Sequence, residues 1–279
     1  MQGRLGPPTS GRFQCFPRES WSEEFERASR AGLDSIEWIY DVYGAGVNPL
    51  DTETGLREMR ALASLHAVEV KSLCADYFMD RPFLRSGDAD WAELLQTMYW
   101  LIGRCGAAEI GHIVLPFVDG SRIETAEEID QVEGILRSCL TVAEAANVEI
   151  HLETSLTPGR FAGLLDRLPH PKLKANYDSG NSASLGYAPE DEFAAYGTRV
   201  GSIHIKDRLL NGGTVPLGTG DTDFPALSTA IRRVEYRGDF TLQVARGEAG
   251  DEIAWAIANR EFVETMLQPS RESSVEAGR

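Results

Sequence analysis

Three segments, VEIHLET (148–154), LKANYDSGN (173–181) and GSIHIKDR (201–208), decide how this chain reads. Each is a short apolar strand pattern that closes on a side chain able to bind a divalent metal: Glu153, Asp178 and His204. Strand alternation puts Ile150 and Leu152 on one side of the first segment and His151 and Glu153 on the other. In the third, His204 shares its side with Ser202 and Lys206. Polar residues in that register point into the lumen of a closed sheet. Two carboxylates and an imidazole suit Mn, Mg, Co or Zn, and three protein ligands leave positions open for a substrate's oxygens. One acid at a strand end is usually just solvated, but three at consecutive strand ends predict a metal site at one rim.

Outward from these segments, further strand patterns occur at 1–5, 35–41, 68–76, 109–117 and 240–246, separated by amphipathic helical stretches. Ser20 with Glu23 and Thr125 with Glu128 have capping-box spacing, and Pro158 and Pro189 stand at first helical turns. Gly32, Gly106, Gly197 and Gly238 sit where helices should stop. Eight strands alternating with eight helices predict an α/β fold, a (β/α)8 barrel of one domain over residues 1–267. Residues 268–279, QPSRESSVEAGR, read as a disordered tail. No GxGxxG follows the first strand, so a dinucleotide fold has no support.

The chain has 279 residues, 42% hydrophobic and 25% charged, enough for a large core. No run reaches the length of a membrane span, and MQGRLGPP is not a basic-then-apolar leader, so the expected location is the cytoplasm. Cys15, Cys74, Cys105 and Cys139 show no CxxC pairing, which fits reduced thiols. With 43 acids against 27 bases the formal charge is −16, which repels nucleic acid and anionic membrane surfaces and favours a small-molecule partner.

The same rim carries the other candidates. Gln243, at the end of the last strand, can ligate a hard cation through oxygen but cannot carry a proton. A proton-transfer mechanism must then use Glu153 together with an acid elsewhere, drawn from Glu37, Asp76, Asp207 or the thiol of Cys74. Cys74 lies on an apolar strand, where a buried inert thiol is the alternative to a place beside substrate. Arg246, Arg208 and Lys206 are candidates to hold an anionic substrate group, against the plainer reading of pairing with acids such as Asp207. The loop LLNGGTVPLGTGDTDFP (209–225) lies where barrels often hold phosphate, although its GTG is a weak signal.

Taken together, LET, NYDSGN and HIKD in that order, followed by VPLGTGDTDFPAL, with SIEWIYD and SLCADYFMD upstream, resemble the xylose-isomerase-like TIM barrel family of sugar phosphate isomerases and epimerases. The resemblance spans roughly residues 1–267. It implies a divalent metal held by Glu153, Asp178 and His204, and a ketose or aldose substrate, often phosphorylated. The departure is Gln243, where epimerase-type members carry a glutamate that is fourth ligand and second acid–base group. Symmetric two-glutamate epimerisation is therefore not expected. The leading function is a metal-dependent sugar or sugar-phosphate isomerase or epimerase acting through an enediolate-type intermediate. The alternatives are a sugar-binding barrel without turnover and an endonuclease IV-like phosphodiesterase, which needs more than the five histidines present. The oligomeric state stays open, a homodimer included.

Overall fold

In the computed structural model, which describes residues 1–8, 12 and 14–268, seven parallel strands form one sheet. They are β1 (Ser35–Ile39), β2 (Glu69–Cys74), β3 (His112–Phe117), β4 (Glu149–Thr154), β5 (Leu173–Asp178), β6 (Val200–Ile205) and, after a small ribbon, β9 (Phe240–Leu242), paired in that order. The ribbon is an antiparallel pair, β7 (Asp207–Arg208) with β8 (Thr214–Val215).

The N-terminal segment occupies the remaining barrel position. Gln2 bridges in parallel to Glu37 of β1, and its N–H donates to Leu242 O of β9 at 3.2 Å. The strand expected over 1–5 is thus cut to a single bridge. Gly3 takes φ +53, a left-handed turn that ends extended geometry, and Arg4 folds back to donate to Gln2 O. At the other edge the strand pattern expected over 240–246 stops at Leu242. One further ladder bond follows, Gln243 N to Ile205 O at 3.0 Å.

Eight helices cover the outside: α1 (Glu23–Arg30), α2 (Glu53–His66), α4 (Asp88–Ala108), α5 (Ala126–Ala146), α6 (Pro158–Arg167), α8 (Pro189–Tyr196), α9 (Phe224–Arg233) and α10 (Glu252–Leu267). Two short helices, α3 (Tyr77–Asp80) and α7 (Ser179–Leu185), follow β2 and β5 at the rim. The Thr125 and Glu128 capping box forms at the start of α5, and Pro158 and Pro189 open α6 and α8. The Ser20 box does not. Glu23 N already donates to the Ser20 carbonyl in a backbone turn, and α1 starts after Ser22 with no side-chain cap. Gly106 and Gly238 do not end helices either: α4 runs past the first to Ala108, and α9 has stopped at Arg233 before the second. The tail expected over 268–279 lies outside the described residues apart from Gln268.

Along β4, β5 and β6 the residues facing the helices are Ile150, Leu152, Leu173, Ala175, Tyr177, Ile203 and Ile205, all essentially inaccessible to solvent. Their apolar side chains build the layer between sheet and helices. The intervening residues, His151, Glu153, Asn176, Asp178, Ser202 and His204, are also buried but polar, and they fill the lumen. A buried polar group is costly unless bonded, so this register commits the lumen to a hydrogen-bonded network. All four cysteines are buried thiols. Among the described residues, no helix is long and apolar enough to cross a membrane.

Candidate metal centre and substrate cavity

The ladder register carries the site directly. Asp178 of β5 pairs with His204 of β6, and Glu153 comes from the same end of the neighbouring β4. The three offer ligand atoms within 4.8 Å of one another. His204 turns Nδ1 towards Glu153 Oε2 (3.5 Å) and Asp178 Oδ2 (3.9 Å). Its Nε2 stands 2.9 Å from Glu37 Oε1, off the hydrogen-bond axis but close enough for charge to dominate. Burial opposes charge on this imidazole; the Glu37 and Glu153 carboxylates outweigh it and raise His204 to about 10. Burial also opposes ionisation of Glu37, yet the His204 charge outweighs it and lowers the carboxyl to about 2. Ser72 Oγ donates to the other Glu37 oxygen at 2.9 Å. Glu37 therefore lies behind the histidine, and it does not line the open cavity.

Glu153 is held by two amides that sequence reasoning passed over. Asn176 Nδ2 donates to Oε2 at 2.8 Å and Asn181 Nδ2 to Oε1 at 2.7 Å. Asn176 shares the inward register of LKANYDSGN, so alternation alone could have flagged it. The network continues down the lumen: Ser202 Oγ donates to Asn176 Oδ1 at 2.6 Å and lies 2.8 Å from His151 Nδ1. His151 Nε2 then reaches Glu149 at 3.0 Å, and His112 stacks on the His151 ring at 4.0 Å. These two histidines fill the lumen below the site, His151 in the inward register expected from alternation.

Asp178 is saturated on one side by Lys206 Nζ at 2.7 Å. Burial opposes its ionisation, but Lys206 and then His204 hold its carboxyl below the usual range. Gln243 sits on the far wall, its Nε2 donating to Gln2 Oε1 at 2.7 Å and its Oε1 buried without a hydrogen-bond partner. A hard cation fits this set: two carboxylates, an imidazole nitrogen facing them, and an orphaned amide oxygen.

Above the cluster opens a cavity of about 620 Å³. Glu153, Asp76, Cys74, Lys206, Arg208 and Gln243 all line it. Asp76 is half-buried, bonded by Gln14 Nε2 (2.6 Å) and Cys74 Sγ (3.2 Å). Burial raises it to about 6 despite those two bonds. The same burial, with Asp76 next to it, lifts the Cys74 thiol far above its ordinary value, so it stays protonated. Neither Gln14 nor Gln2 carried any sequence signal, because both act on residues far along the chain.

The remaining candidates are already engaged elsewhere. Arg208 donates from Nε and Nη2 to Gly212 O and from Nη1 to Asn181 Oδ1. Arg246 donates to Gly6 O at 3.0 Å and Gly3 O at 2.9 Å, and lines a separate cavity beside Trp255. Asp207, fully buried, accepts the N–H groups of Gly218, Gly220 and Thr222 at 2.9, 2.9 and 3.1 Å. The Gly-rich loop is thus wrapped around a carboxylate of the chain itself. A Cβ at Gly220 would stand 2.3 Å from Asp207 Oδ1, so this approach requires glycine.

Residues 25–265 match the family model described as xylose isomerase-like TIM barrel. L-ribulose-5-phosphate 3-epimerase UlaE of Shigella sonnei is 24% identical over 271 residues, covering 93% of each chain. The crystal structure of D-allulose 3-epimerase from Methylomonas sp. superposes with a TM-score of 0.74 at 17% identity, covering 95% of this chain and 96% of that one. A xylose isomerase-like TIM barrel protein from Mycobacterium smegmatis, in complex with magnesium, gives a TM-score of 0.69 at 15% identity and covers 95% of each chain.

Proposed function

The chain belongs to the xylose isomerase-like TIM barrel family, and from that premise we propose that it is a metal-dependent sugar isomerase or epimerase working through an enediolate-type intermediate. The observation that carries this reading is the Glu153, Asp178 and His204 cluster, with donors within 4.8 Å, at the floor of a cavity that Asp76 also lines. Relatives that act on ribulose 5-phosphate and allulose, and one that holds magnesium, support it.

Glu153, Asp178 and His204 Nδ1 would hold the cation, with Gln243 Oε1 as the fourth ligand. A divalent metal there supplies Lewis acidity to neighbouring sugar oxygens and lowers the cost of negative charge beside the carbonyl. Glu37 acts by orienting His204, and Asn176 and Asn181 fix the plane of the Glu153 carboxylate. Asp76 is the group suited to move the proton: half-buried, facing the cavity, and raised to about 6, near the pH at which a general base works best. Glu153 is the second acid–base candidate. Gln243 cannot give up or take a proton near neutral pH, so the two sides of the substrate are served by chemically different groups.

Of the five histidines only His204 joins the cluster, which disfavours a multinuclear phosphodiesterase. The test is metal analysis of the purified protein, then incubation with a panel of ketoses and aldoses in deuterated water. Metal-dependent deuterium uptake at the carbon next to the carbonyl is expected. Sugar binding at full metal occupancy with no uptake from any sugar identifies a binding barrel instead.

A further inference from the structure

We propose that the cavity takes a free, uncharged sugar and discriminates against the same sugar bearing a terminal phosphate; the inference rests on the reading above in naming the ligand a sugar. The loop and the three cations that the sequence offers for an anion are each bonded within the chain. In barrels of this class the loops after the last two strands are the usual phosphate holders, through backbone N–H groups. Here the loop after β6 spends three such groups on the Asp207 carboxylate. An anion of the chain already occupies that nest, and a Cβ at Gly220 would overlap its Oδ1, which shows how tightly the loop closes on it.

The cations follow the same pattern. Arg208 is tied to Gly212 and Asn181, Arg246 to the carbonyls of Gly3 and Gly6, and Lys206 to Asp178. Lys206 is charge-paired with Asp178, whereas Gly212 and Asn181 are neutral and do not cancel the Arg208 charge; with it on the described cavity wall stands Arg12, whose guanidinium lies 4.6 Å from the centre of the Tyr43 ring. Against these stand Asp80, the last residue of α3, and Asp119, just after β3, exposed carboxylates that line the same cavity. A dianionic phosphate at the mouth meets two like charges, within the field of a chain of net charge −16. Sugar hydroxyls meet the opposite situation. Each O–H can donate to a carboxylate that has only acceptors, and each oxygen can accept from Gln14 or Asn181.

The full-length, metal-loaded protein is titrated by calorimetry with two matched pairs, L-ribulose against L-ribulose 5-phosphate and D-fructose against D-fructose 6-phosphate. Deuterium exchange is followed for the same four compounds. The free sugar of at least one pair should bind about tenfold or more tightly than its phosphate, the scale of one or two like-charge contacts in solvated surroundings. The gap should narrow in the double variant Asp80→Asn, Asp119→Asn, and in the parent on raising salt from about 0.05 to about 0.5 M. A free sugar that is preferred but never exchanges upholds this inference and removes the isomerase reading. Phosphates that bind as well or better in both pairs, four compounds that all fail to bind, or a gap that neither salt nor the double variant narrows would each overturn it.

Discussion

Glu37 Oε1 stands 2.9 Å from Nε2 of His204, while Nδ1 of the same ring faces Glu153 and Asp178. A carboxylate behind a ligating imidazole fixes its orientation and raises its basicity. Glu37→Gln should therefore weaken metal affinity about 10- to 100-fold without changing the pH at which proton exchange sets in. Competition against a chelator measures the first quantity. Loss of exchange at full metal occupancy would show instead that Glu37 handles a proton itself.

The same pair predicts how the metal-free protein responds to pH. His204 is raised from 6.5 to about 10, so its contribution is complete below pH 6.5 and disappears as pH climbs through 10. Glu37 is lowered from 4.5 to about 2, so its contribution is complete above pH 4.5 and is lost only towards pH 2. Asp76 and Glu24, raised by burial to about 6 and about 7, also favour the acid side of neutrality. The melting temperature of chelator-treated protein should fall between about pH 7 and pH 10. Stabilisation by added cation should grow over that range, because binding must displace the His204 proton. A metal-free melting temperature that rises across this window would falsify the assignment.

Asp76→Asn keeps the shape and the bond to Cys74 but removes the titrating group. Metal content should stay the same, and deuterium exchange should drop by about 10²- to 10⁴-fold. In the parent the exchange rate should rise with pH through about 6, as the carboxyl loses its proton. A variant with the parent's rate and profile places the base elsewhere.

Gln243→Glu tests the departure from the family pattern. The substituted carboxylate can no longer donate to Gln2 Oε1, but Gln2 has a buried Nε2 without a partner, and rotating that amide restores this bond while giving up the one that Oε1 accepts from Arg4 Nη1 at 3.2 Å. With the shell intact and a second proton carrier at the wall, exchange should increase at unchanged metal stoichiometry. Equal rates in both forms would put residue 243 outside the reacting centre.

Gly220→Ala drives a methyl group against Asp207 Oδ1 and the Arg208 carbonyl, 2.3 and 2.7 Å away. Overpacking of this kind costs about 1–3 kcal/mol, seen as a lower melting temperature. Metal titration should be unaffected, since Asp207 faces the loop rather than the cluster.

The barrel and the convergence of Glu153, Asp178 and His204 were legible in the sequence because both follow from strand alternation, which is local. A period of two along VEIHLET, LKANYDSGN and GSIHIKDR is enough to send Glu153, Asp178 and His204 to one side of a sheet, and parallel pairing of consecutive strands brings their ends together. That logic also carried Asp76 and Gln243 to the rim. It failed at the edges, where Gly3 turns the first strand aside and Ser20 spends its carbonyl on a turn.

What only the tertiary structure decided is which of the rim groups remain free to act. Asp207, Arg208 and Arg246 look the same in sequence whether they face a ligand or a backbone. Their partners are set by how a loop of some fifteen residues closes on itself and by where the N-terminal segment lies against β9. Glu37 was expected as a base and is placed as the support of His204 by a neighbour 167 residues away, Gln243 meets a partner 241 residues away, and Asp76 owes its raised carboxyl to burial that no local pattern encodes. Alternation tells which way a side chain points; whether it then meets solvent, substrate or another part of the chain depends on contacts that form only when the barrel closes.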